Sequence, residues 1–162
     1  MARGSRTRIR FAVAAVAAVA ALALSGCGLQ IPADPDGTLD RITGGVLRVG
    51  ASPADELVRV SERDVSGPLP DLIEGFADER DARVEWTVGS EEDLVDDLVA
   101  GALDLAIGGM TDATPWVDAV SVSRGYSGVE GSGGASVVVL MPMGENALQA
   151  ALERYLDAEV GG

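Results

Sequence analysis

Apolar residues recur along this chain at two different spacings, and the switches between them mark its elements. From Gly67 onward, Leu69, Leu72, Ile73, Phe76 and Ala77 fall at helical period while Asp71, Glu74, Asp78, Glu79 and Arg80 take the other side. That pattern predicts an amphipathic helix packed on a sheet. Arg83 to Val88 then alternates polar residues with Val84, Trp86 and Val88, as a half-buried strand does. Ser90 ahead of Glu91, Glu92 and Asp93 resembles a capping box, and it launches a second helix with Leu94, Val95, Leu98 and Val99 on one face and Gly101 as its stop. Leu103 to Gly108 reads as a buried strand. Upstream, Val46 to Gly50 is a short strand, and residues 51–66 read as a loop, since Leu57, Val58 and Val60 suit either a strand or a short helix. Downstream, the Gly/Ser-rich stretch from Gly125 to Ala135 is a loop, Ser136 to Met141 a further strand, and Leu148, Ala151, Leu152, Tyr155 and Leu156 form one face of a last helix. Strands and helices in this order predict an α/β fold, with helices flanking a three-layer parallel or mixed sheet and right-handed crossovers.

The N-terminus follows a different logic. Arg3, Arg6, Arg8 and Arg10 precede a charge-free apolar run from Phe11 to Leu24, the pattern of a secretory signal. The run is shorter than the ~20 residues a spanning helix needs. It meets Leu24-Ser25-Gly26-Cys27, which resembles a bacterial lipobox and contains the only cysteine of the chain. Cys27 is therefore the expected acylation site and tethers the protein to the outer face of the cell membrane. Gly28 to Thr43, with Pro32, Pro35 and Gly37, reads as a flexible spacer. The expected organisation is a lipoprotein signal peptide over 1–26, an acylated N-terminus and spacer over 27–45, and an α/β domain over 46–162.

Charge and composition narrow the chemistry. Beyond residue 26 the chain holds 8 arginines against 26 acidic residues, so nucleic acid is a poor partner. Histidine is absent, which removes the usual general base and the commonest transition-metal ligand. With the one cysteine given to lipid, and no serine in a nucleophile-elbow pattern, no catalytic residues, metal or cofactor are expected. The acidic clusters at Glu91 to Asp93 and Asp96-Asp97 lack the ligand spacing of a calcium loop and read as a solvated helix face.

The collinear order resembles the family 3 extracellular solute-binding proteins, which capture amino acids and similar solutes for ABC importers. The first strand, the segment Gly67 through Trp86, the spacing of Leu94, Leu98, Gly101 and Asp104, the turn Gly109-Met110-Thr111 and the segment Val122 to Tyr126 all follow that family's first lobe. The resemblance implies a single lobe of a type 2 periplasmic binding protein, with an ABC permease or another membrane protein as partner.

Two departures qualify it. The family's arginine for a ligand carboxylate falls, counted without gaps, at Trp116, and an indole cannot make that bidentate pair. The second lobe, expected after Tyr126, is replaced by a short Gly/Ser loop. Ligands of open α/β sheets gather at the carboxyl ends of the strands, so Ser52, Gly109, Met110, Thr111 and Trp116 are the candidate ligand-binding residues. Trp116 either stacks on a solute there or plugs the sheet end left bare by the missing lobe. The readings that follow are a reduced solute-binding lipoprotein or, alternatively, an interaction module that docks on a membrane partner.

Overall fold

The computed structural model describes residues 36–62 and 64–161. The basic start, the apolar run and Cys27, which carry the export and acylation readings, lie outside the described residues.

A short helix α1 (Thr38–Ile42) leads into strand β1 (Val46–Ala51). A small hairpin, β2 (Arg59–Ser61) and β3 (Asp64–Ser66), precedes helix α2 (Pro68–Asp78). Strand β4 (Arg83–Val88), helix α3 (Glu91–Val99) and strand β5 (Leu105–Ile107) follow. A 3-10 turn (Pro115–Asp118), strands β6 (Ser121–Val122) and β7 (Leu140–Met141), and helix α4 (Asn146–Glu159) complete the domain. The main sheet has five strands in the order β4-β1-β5-β7-β6. β1 runs parallel to β4 and β5, whereas β7 is antiparallel to both of its neighbours, so the sheet is mixed.

Strand alternation sorts the core into two layers. Leu47, Val49, Ala51, Leu105, Ile107, Val139 and Met141 join Phe76, Ile73, Leu148 and Leu152 on the side of α2 and α4. Ala106, Val138 and Leu140 join Leu94, Val95 and Leu98 of α3 on the other. Gly50 faces α3: a Cβ there would lie 2.7 Å from methyl carbons of Leu94 and of Leu103, so the missing side chain lets the helix approach. Local signals act as their chemistry dictates. The Ser90 hydroxyl accepts from the Asp93 amide (3.2 Å) at the start of α3, and Gly101 adopts φ +71° at its end.

Three sequence expectations are corrected. The flexible spacer does not extend to Thr43, because residues 38–42 are helical and Ile42 is fully buried in the main core. A five-residue helix is marginal alone, but burying an isoleucine contributes ~2 kcal/mol. Residues 51–66 are not simply a loop, since they contain the β2–β3 hairpin. The strand expected over 136–141 is interrupted. The Val139 amide donates to the Ser123 hydroxyl (2.9 Å) and the Val138 amide to the Met110 carbonyl (3.0 Å), so a continuous ladder forms only at Leu140–Met141.

Where a second lobe is expected, the chain closes on itself. The amide of Tyr126 donates to the Val137 carbonyl (2.8 Å) and the amide of Val137 to the Tyr126 carbonyl (3.2 Å), which joins the two ends of the Gly/Ser segment. Within that segment Val129 is buried in the main core, which also holds Leu57 and Val65.

Candidate functional site

The carboxyl ends of β1 and β5 bring together four of the five predicted residues. The Ser52 amide donates to the Ile107 carbonyl (2.9 Å), fixing the exit of β1 against the exit of β5. A Cβ on Gly108 would lie 3.0 Å from both Ser52 Cβ and Met110 Sδ, and one on Gly109 would lie 3.6 Å from Ala54 Cβ. Met110 is buried, and Ser52 and Thr111 are half-buried. Thr111 turns the chain: its carbonyl accepts from the Thr114 amide (2.9 Å), while the neighbouring Asp112 amide donates to Ser136 (3.2 Å). The outcome is an open shelf of small residues and two hydroxyls, those of Ser52 and Thr111, with Asp55, Glu56 and Asp112 exposed in the loops that border it.

Trp116 is placed differently from the others. It sits in the 3-10 turn that carries the chain back toward the amino end of β6, and its half-buried ring packs on the α3-side core that also holds Met110, Leu98 and Val120. Its indole Nε1 and the hydroxyl of Thr114 are buried without a hydrogen-bond partner among the described residues.

A second cluster was not singled out from sequence. Asp104, just before β5, is 1% exposed and receives Arg41 and Arg48, whose Nη2 atoms each lie 2.5 Å from Oδ1. Its Oδ2 accepts from the Arg48 amide (2.9 Å) and from Arg48 Nε (3.2 Å). Burial alone favours the neutral acid, yet the side-chain and backbone hydrogen bonds from Arg48, with that from Arg41, hold the carboxyl below its ordinary value. The cluster lines a cavity of about 410 Å³ at the amino ends of the strands. Neither arginine lies in a motif; only the pairing of β1 with β5 brings Arg48 to Asp104.

No protein-family model matches the chain, and no curated sequence matches it significantly. Solved structures do resemble it. The arginine-bound form of domain 1 from TmArgBP superposes with a TM-score of 0.62 at 22% identity, covering 74% of this chain and 97% of that one. A single-substitution variant of the same domain, also arginine-bound, gives a TM-score of 0.64 at 23% identity over 75% and 97%. A periplasmic binding protein of Salmonella typhimurium with high arginine specificity gives 0.59 at 12% identity over 72% and 94%. Likeness at these identities speaks to fold, and the mostly parallel sheet, its flanking helices and the near-complete coverage of those domains agree: the chain folds as a single lobe of a periplasmic binding protein.

Proposed function

We propose that this chain is an extracytoplasmic solute-binding lipoprotein, anchored through Cys27, that works with one lobe and presents a small cationic solute to a membrane permease. The observation that carries the reading is the likeness to domain 1 from TmArgBP, a single domain in arginine-bound form, over 97% of its length. The solute lies on the shelf formed by Ser52, Gly109, Met110 and Thr111. The three exposed carboxylates that border the shelf, Asp55, Glu56 and Asp112, favour a cation, and no arginine stands at the position of Trp116 to hold a carboxylate. Trp116 packs against the α3-side core to which the buried Met110 of the shelf also belongs. No catalytic step is assigned to these residues.

One observation favours the alternative, a module that docks on a membrane protein. Beside Trp116, Val117 is an exposed apolar side chain, 53% accessible, on the same turn. Thermal unfolding with L-arginine, L-lysine, putrescine and glucose separates the two readings. A saturable rise in Tm with the cationic compounds, absent with glucose and diminished at least tenfold in apparent affinity by Asp112→Asn with Thr111→Val, is the expected result. A folded domain that responds to none of them overturns solute binding and leaves the interaction module.

A further inference from the structure

The main sheet ends at β4, a strand whose outer side no described residue pairs with. We infer that this free edge docks an extended, basic segment of a partner protein, which adds to the sheet as a further strand. The edge is separate from the shelf of Ser52, Gly109, Met110 and Thr111, and its occupation does not depend on a solute there.

Register decides which backbone groups are free. β4 runs parallel to β1 from Arg83 opposite Val46 to Val88 opposite Ala51, and pairs with no other strand. The Arg83 amide donates to the Gly45 carbonyl (2.9 Å) and the Gly89 amide to the Ala51 carbonyl (3.2 Å), so every second residue from Arg83 onward faces β1. Val84, Trp86 and Val88 therefore turn their amides and carbonyls outward, without a partner among the described residues. A row of unpaired groups of this kind is a template for another strand. The side chains of the same three residues agree with it. Val84 and Trp86 are only partly buried against the main core, and Val88 is 44% exposed. A neighbouring strand covers their outer flank as β1 covers the inner one. Natural edges are blunted by proline, bulges, short length or unpaired charge. β4 has six residues, no proline and an unbroken register, and Arg83 and Glu85, the charges on the strand itself, pair with each other (2.6 Å).

The charges around the edge name its occupant. Between α2 and β4 lies a groove of about 370 Å³ lined by Glu74, Asp78, Ala82, Arg83 and Val84. Its one guanidinium is spent on Glu85, whereas Glu74 and Asp78 are exposed and enter no ion pair among the described residues. Beyond the carboxyl end of β4, Glu91 and Glu92 open α3. An incoming strand thus meets negative charge at both ends, which favours lysine or arginine side chains. A second copy of this strongly acidic chain is disfavoured by the same carboxylates.

The test is a titration of the chain from Gly28 onward with the peptide acetyl-Lys-Val-Lys-Val-Lys-Val-amide at constant ionic strength, followed residue by residue through amide hydrogen exchange. The expected result is a saturable response in which the amides of Val84, Trp86 and Val88 slow roughly tenfold or more, while those of Glu85 and Thr87, already bonded to β1, keep their rates. The same peptide with glutamate in place of lysine has no effect. Val88→Pro removes one outward donor and none that faces β1, and weakens the apparent affinity roughly tenfold. Glu74→Gln with Asp78→Asn, two exposed positions on α2, weakens it to a similar extent and leaves the backbone edge intact. Absence of a saturable response overturns the inference, as does slowing that omits Val84, Trp86 and Val88 or that persists unchanged in both variants. Slowing of the three amides that grows with protein concentration, without peptide, overturns it in favour of a second copy.

Discussion

At the scale of single residues, this domain keeps its few polar buried groups by surrounding them with donors or acceptors. Asp104 is the clearest case, an acid left ionised in the core because four hydrogen bonds reach it. Tyr126 is the complementary one. Its hydroxyl donates to the Glu153 carbonyl (3.2 Å) and lies 3.3 Å from Asp157 Oδ1, and burial, with the carboxylates around it, pushes its pKa up to about 12. A folded-state value above the ordinary ~10 means that the fold prefers the neutral phenol. The associated stability is fully present below pH ~10 and is lost as pH rises toward 12. Urea unfolding at pH 8 and at pH 11.5 is therefore expected to show a loss of about 1–2 kcal/mol in the native chain beyond that in Tyr126→Phe. Thr114 and Trp116 are the exceptions to the pattern, a hydroxyl and an indole N–H that are buried without a partner among the described residues. The packing of Trp116 on the α3-side core was not legible, because its neighbours there come from distant parts of the chain.

At the scale of elements, the segment that stands in place of a second lobe is built to dock rather than to span. Its ends are tied through Tyr126 and Val137, Val129 is buried, and Gly128 passes close to the end of α4. A Cβ at Gly128 would lie 2.3 Å from the Val160 carbonyl oxygen, a backbone atom that cannot rotate away. Gly128→Ala is expected to cost about 1–3 kcal/mol by overpacking, read as a lower urea midpoint at unchanged slope. Gly134, with no atom within 4 Å of the position a Cβ would take, lies on the same loop but has a positive φ of +85°, so its replacement strains the backbone without crowding. The helices α2 and α3, and strand β4, were legible from period and caps because each carries a full stripe of apolar residues. The β2–β3 hairpin was not, since strands of three residues hold too little alternation to separate a strand from a helix or loop.

At the scale of the whole molecule, the domain begins earlier than its first long apolar run. α1 buries Ile42 and carries Arg41 to Asp104, and Glu145 at the start of α4 accepts from the backbone that leads into α1. Deleting residues up to Thr43 removes all three interactions, and a chain starting at Gly44 is expected to lose about 3–5 kcal/mol, measured by urea unfolding against a chain starting at Gly28. An equal midpoint for the two chains would show α1 to be dispensable.

The sequence by itself determined the α/β class and the order of the principal strands and helices, because hydrophobic period and helix caps are local properties. Tertiary structure alone decided the rest. Residues 38–42 become helical because a core is there to receive Ile42, the strand over 136–141 breaks where Ser123 takes its amide, and Trp116 turns onto the α3 side of the sheet. The meeting of Arg41, Arg48 and Asp104 belongs to this second group. The two arginines lie far from Asp104 along the chain, and only the pairing of β1 with β5 and the docking of α1 bring both guanidiniums onto its buried carboxylate.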